Sequence, residues 1–221
     1  MKILVIAPHM DDEVLGCGGA ISKHVEMGDI VHVCFVANRI YDHKLNEKQS
    51  RFEKECSLKA KKILGYQSED FLDLPDERLD ACIQDIIIPL EKCLKNIKPQ
   101  IVYVNHQGDN NQDHKAVFQS AMVALRPLAT EYVQKVLSYE VPSSTDQSPP
   151  FNEFAFLPNY YIDIQNYLGK KIDALNCYQT EKRESPHPRS ERGITVQAMK
   201  RGGEVGLEAA EAFMIIREKW G

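Results

Sequence analysis

Two clusters of polar side chains stand at the ends of apolar runs. The run at residues 3–7 gives way to His9, Asp11, Asp12 and Glu13. Far along the chain, the run at residues 101–105 gives way to His106, Asp109, Asp113 and His114. Imidazoles and carboxylates at the end of a buried strand are unfavourable unless they meet a positive charge. Two histidines and a carboxylate are a common catalytic zinc set, with water in the open fourth place. His9 and Asp12 are spaced across a strand-to-helix turn so that both can face one point. A second histidine must come from elsewhere in the sheet, and His114 opens the helix after the second run. The plainer readings are helix capping by Asp11 or Asp12 and a turn-rich loop at residues 109–113. Taken together, the two clusters favour a metal.

The elements around them follow from periodicity. Residues 3–7 are wholly apolar, as in a strand covered on both faces of a parallel sheet. Val14, Gly18, Ile21 and Val25 recur at helical spacing, so a helix begins near Asp12 and closes at Gly28. Further strands are expected at residues 30–37, 71–74, 101–105, 135–139, 160–164 and 212–216. Helices are expected at 47–64 (stopped by Gly65), 79–97 (kinked or split by Pro89), 114–125, 166–180 and 194–201. Residues 143–150 read as a Ser/Pro linker and 181–190 as a polar loop. Strand and helix alternate through the amino-terminal part. The expected class is therefore α/β: a Rossmann-like three-layer αβα arrangement with a mostly parallel sheet, formed by one domain spanning residues 1–221. Ligands of such sheets collect at the carboxyl ends of the strands. Both polar clusters lie there.

The motifs themselves are familiar. His9-Met10-Asp11-Asp12-Glu13 after an apolar strand, with Gly108-Asp109-Asn110-Asn111-Gln112-Asp113-His114 downstream, resembles the PIG-L/LmbE-like family of zinc-dependent N-deacetylases. The first motif matches that family's HPDDE, with Met10 in place of the usual proline, and the second its xDH element. The segment VLGCGGA, residues 138–142, His187-Pro188-Arg189 and residues 210–213 extend the resemblance over nearly the whole chain. It implies His9, Asp12 and His114 as ligands of Zn2+, although the same donors accept iron, manganese or cobalt. It implies Asp11 as general base and Asp113 as an aspartate that supports the site electrostatically beside the second histidine. Many members carry a histidine where this chain has Asn111, thought to stabilise the oxyanion or serve as acid. Asn111, His106 or His187 can fill that place, with His187 ranked first because it sits in a Pro-bounded polar loop. The implied reaction is removal of an N-acetyl group from an N-acetylglucosamine-type sugar or its conjugate.

Further candidates come from position alone. Arg39 at the end of the second strand and Glu140 at the end of the fifth are placed to touch substrate, and Arg189 to meet an anionic group on it. His24, His32 and His43 have no evident partner. Two rival classes remain in view. Leu15-Gly16-Cys17-Gly18-Gly19 resembles the glycine loop of S-adenosylmethionine-dependent methyltransferases, but by periodicity these glycines lie inside the first helix. A metal-dependent sugar-binding protein without activity is the other rival, although such a protein has no need of Asp11.

Composition narrows the setting. A net charge of −5 gives no basis for nucleic-acid binding. There is no run of 18 apolar residues, so no membrane span is expected. The 6 cysteines are scattered without CxxC spacing, as expected of reduced thiols in a cytoplasmic protein. Association into a homo-oligomer is left open.

Overall fold

Residues 1–38 and 46–220 are described by a computed structural model. Its centre is β1 (Lys2–Ala7), whose side chains alternate between two cores. Ile3, Val5 and Ala7 face one core, Leu4 and Ile6 the other. A strand buried on both sides has no polar face, hence the unbroken apolar run.

The remaining strands are β2 (Ile30–Asn38), β3 (Ser68–Pro75), β4 (Ile101–Asn105), β5 (Lys135–Tyr139), β6 (Tyr160–Asp163) and β7 (Ala210–Glu218). They form one sheet in the order β3-β2-β1-β4-β5-β7-β6. The pairs from β3 to β5 are parallel, and only β7 runs against its neighbours. The helices are α1 (Asp12–Glu26), α2 (Glu47–Leu64), α3 (Ile83–Ile97), α4 (Gln112–Ala124), α5 (Leu168–Leu175) and α6 (Glu191–Gly203). Buried residues of α1, α2, α5 and α6 pack on one face of the sheet, and those of α3 and α4 on the other. The three-layer expectation holds. Among the described residues no helix is long and apolar enough to cross a membrane.

Four local expectations change. Strand β3 is longer than residues 71–74, because its polar residues form an edge ladder with β2 that apolarity does not reveal. Helix α3 begins at Ile83 rather than at residue 79, with Cys82 as N-cap, and continues through Pro89 unbroken. The carbonyl that Pro89 cannot serve belongs to Asp85, an exposed residue that solvent can reach. The helix expected at 166–180 is instead a 3-10 turn (Gln165–Tyr167) followed by the short α5. Strand β7 extends beyond residues 212–216 because it is paired on both sides.

The glycines near the amino end lie within α1, not in a ligand loop. A Cβ on Gly16 would sit 2.1 Å from Cδ2 of Tyr139, and one on Gly19 would sit 2.5 Å from Cγ2 of Ile164. Their smallness lets α1 press against the sheet, which removes the basis for the methyltransferase reading. The crossovers from β1 and β4 leave in opposite directions, so a crevice opens where the carboxyl ends of these neighbours meet.

Candidate metal centre and active site

The turn after β1 is built tightly. Asp11 adopts φ 134°, a region that a non-glycine residue occupies at a cost of about 1–3 kcal/mol. Its carbonyl accepts from the amides of Val14 and Leu15, at 3.0 and 2.9 Å. Its amide donates to Oε2 of Glu13 at 3.1 Å, and the Tyr178 hydroxyl donates to Oε1 of Glu13 at 2.5 Å. Burial raises the Glu13 carboxyl to about 8, against the pull of the Tyr178 bond. Asp11 is the N-cap residue of α1, yet its side chain makes no capping bond. Asp12 reaches back instead, its Oδ2 accepting from the His9 amide at 2.9 Å.

This turn and the start of α4 bring three donor atoms together. His9 Nδ1 lies 3.3 Å from Asp12 Oδ2 and 3.2 Å from His114 Nε2, and the last two lie 3.2 Å apart. A tetrahedral ion with bonds of about 2.0–2.1 Å spreads its donors about 3.3 Å apart. The triangle therefore has the size a zinc-class ion requires. All three residues are buried, and Asp12 Oδ1 has no hydrogen-bond partner among the described residues. The residues fit a resident metal.

The outer ring nitrogens are held as metal-ligating imidazoles usually are. His114 Nδ1 lies 2.6 Å from Asp109 Oδ2, and Asp109 in turn receives the Thr145 hydroxyl. His9 Nε2 lies 3.0 Å from Asp76 Oδ1 and 3.2 Å from Asp113 Oδ2. Asp113 is held by the amides of Glu77, at 2.8 Å, and Leu79, at 3.2 Å. It thus orients His9, although it adjoins His114 in sequence. Charge follows this geometry. Burial opposes protonation of His114, but Asp12 and Asp109 outweigh it and raise the imidazole to about 9. His9 is likewise raised, with burial outweighed by Asp113, Asp12 and Asp76. Burial works to raise Asp12, but His114 and His9 hold its carboxyl well below its usual range.

A family model described as PIG-L, GlcNAc-PI de-N-acetylase, matches residues 4–125, which contain all three donors. The chain belongs to the PIG-L family. An uncharacterised deacetylase of Escherichia coli, YaiS, is 30% identical over 184 residues, covering 80% of this chain and 90% of its own. A 4-oxalmesaconate hydratase of Pseudomonas putida is 26% identical over 192 residues, covering 79% of this chain and 71% of its own. The N,N'-diacetylchitobiose deacetylase of Pyrococcus horikoshii shares the fold, with a TM-score of 0.78 at 19% identity, over 97% of this chain and 83% of that one.

Within this PIG-L-family site the other predicted residues divide. Asn111 caps α4, its Oδ1 accepting from the Asp113 amide at 2.8 Å. His106 Nε2 donates to the Phe154 carbonyl at 3.0 Å, so a neutral ring has only an acceptor left. His187 Nδ1 accepts from the Arg189 amide at 3.1 Å, leaving its proton on Nε2. Burial, then Arg189 and Arg183, lowers the His187 pKa, so this ring is a neutral donor at neutral pH.

Arg189 reaches the site directly: Nη1 is 2.9 Å from Asp11 Oδ2. The expectation for Arg189 was a substrate anion, and the structure gives it a carboxylate of the site itself. Glu140, expected to touch substrate, gives both carboxylate oxygens to Arg201, at 2.7 and 2.6 Å. Arg39 lies outside the described residues. Asp76, Tyr178 and Glu181 escape sequence reading. Only Asp76 carried a signal, an acid directly after a parallel strand on the same sheet edge. The supposed linker at 143–150 is part of the site's wall: Thr145 holds Asp109, Ser148 donates to the Gly108 carbonyl, and the Asn110 amide donates to Ser144 O at 3.1 Å.

Proposed function

We propose that this chain is a zinc-dependent N-deacetylase that releases acetate from an N-acetylglucosamine-type amino sugar or its conjugate. The observation that carries the reading is the His9–Asp12–His114 triangle, with Asp11 next to it in the chain and paired to Arg189. When bound there, zinc acidifies a water molecule and polarises the amide carbonyl. The chain's own groups do the rest. Asp11 accepts the proton of the attacking water, and its ion pair with Arg189 holds the carboxylate in place. The NH2 of Asn111, or Nε2–H of His187, donates to the developing oxyanion. Asp11 then returns a proton to the amine as the C–N bond breaks, giving acetate and a free amino sugar.

The test is acetate release from N-acetylglucosamine conjugates, with and without a chelator. Chelation should abolish release and added zinc should restore it. Asp11→Asn should keep the metal and lose turnover. Because a hydratase is among the relatives, water addition to 4-oxalmesaconate is assayed in parallel. Turnover of that substrate without acetate release would overturn the reading, as would a fully active Asp11→Asn variant.

A further inference from the structure

A second group of metal-ligating side chains lies on the α3/α4 face of the sheet. His32 and Cys34 occupy alternate positions of β2, and Ser68 and Asp70 are their register partners on β3. All four therefore project from one face. Helix α3 packs on that face and brings in Cys93, which shares its core with Cys34. His32 Nε2 lies 3.1 Å from Asp70 Oδ2. His32, Asp70 and Cys93 each offer a donor atom within 4.8 Å of the others. His32 is also the partner of Leu4 on β1, three positions before that strand ends at Ala7, which at about 3.3 Å per residue puts it roughly 10 Å back from the strand's carboxyl end. The group shares no residue with the catalytic cluster.

We propose that His32, Asp70 and Cys93, with Cys34 beside them, form a second site for a zinc-class divalent cation. Three features point that way. The donors are a thiol, an imidazole and a carboxylate from three separate elements, a set suited to zinc rather than to magnesium or calcium, which take oxygen ligands. Nδ1 of His32 is held by the Ser68 hydroxyl at 2.7 Å, the outer-nitrogen support that ligating histidines carry. The Asp70 side chain is 49% exposed while Cys93 is buried, so an ion has an entry path ending at sulfur. The competing reading is a rim ion pair, His32 with Asp70, over an inert thiol.

Sulfur separates the two sites. The His9–Asp12–His114 cluster has none, so thiolate ligation can arise only outside it. The whole chain is stripped of metal and titrated with Co2+ alone. The expected result is two equivalents bound, with thiolate-to-cobalt charge-transfer absorption belonging to one of them. Cys93→Ser should remove that absorption and one equivalent, leaving the other. Asp70→Asn, a change on the exposed rim that keeps the core intact, should weaken the thiolate-bearing equivalent at least about tenfold. Cys82→Ser, at an exposed cysteine elsewhere, should change nothing. A single equivalent without thiolate absorption would overturn the proposal. So would an absorption that survives Cys93→Ser or disappears with Cys82→Ser.

Discussion

Arg189 Nη1 and Asp11 Oδ2 form an ion pair of 2.9 Å between residues 178 positions apart. The guanidinium is itself anchored. Its Nε donates to Ser143 Oγ at 2.7 Å and to the Pro142 carbonyl at 3.3 Å, and Nη1 also meets Glu181 Oε2 at 3.2 Å. One side chain thus ties the segment after β5 and the loop before α6 to the turn after β1. Arg189→Met should lower kcat at least about tenfold, the loss of about 1.4 kcal/mol of transition-state stabilisation, with metal content unchanged. Arg189→Lys should recover little, because an ammonium cannot make the fork of bonds. Steady-state kinetics beside metal analysis decides it; unchanged kcat in Arg189→Met would leave the pair without a catalytic role.

If the proposed metal site holds, Asp113 should bear on its affinity through the contact with His9 Nε2. Asp113→Asn should weaken metal binding about 10–100-fold, as loss of an outer partner of a ligating histidine typically does. Competition against a chelator of known affinity measures it. Affinity equal to the parent's would show that Asp76 alone suffices to orient His9.

On the proposed mechanism, Asn111 and His187 are the two candidates for the oxyanion donor. Whichever donates to the oxyanion should cost about 10²–10³ in kcat when replaced by alanine. The other should move KM or nothing. The orientation of Asn111, with Oδ1 committed to the α4 cap, makes Asn111→Ala the variant expected to lose kcat. Equal and small effects from both would eliminate the pair.

Gly16 should tolerate no side chain. A Cβ there would meet the Tyr139 ring at 2.1 Å, and the ring cannot swing away without losing the bond from its hydroxyl to the Ile6 carbonyl, at 2.8 Å. Gly16→Ala should destabilise the fold by about 1–3 kcal/mol or more. A lowered midpoint of urea unfolding at unchanged slope is the expected reading, and an unchanged midpoint would show that α1 can shift.

On mild acidification His24 should contribute a loss of stability, set against the gain from Glu13, whose raised carboxyl takes up a proton on folding. Nδ1 of this residue lies 2.7 Å from Asp29 Oδ2 and Nε2 2.8 Å from the Tyr103 hydroxyl. Burial outweighs the attraction of Asp29 and lowers the pKa below the ordinary 6.5. The unfolded chain therefore takes up a proton that the folded chain refuses. The contribution is full above pH 6.5 and is lost as pH falls below it, at up to about 1.4 kcal/mol per pH unit. His24→Gln should remove this loss, so that urea midpoints fall less, or rise more, on acidification than the parent's do. A slope equal to the parent's would refute the assignment.

Much of this site is legible in the chain. His9 and Asp12 can be read because a doubly buried strand must be apolar, so the first polar residues after Ala7 mark its carboxyl end. His114 can be read for the same reason after β4, and the glycines of α1 because they fall on helical spacing. These are local consequences of burial and periodicity. The partners of the histidines are another matter. His24 and His32 look solitary in sequence, yet each is held by groups from other turns or strands. Asp113 adjoins one ligand in the chain and supports the other in space. Arg189 and Asp76 come from segments that hydrophobic pattern does not describe, and Tyr178 from a stretch it assigns to a helix that in fact ends at Leu175. The sequence by itself determines which residues end the strands, because burial acts on each strand alone. Only the tertiary structure decides which of those residues meet, because that depends on strand order and on how the loops after β3, β5 and α5 close over one crevice.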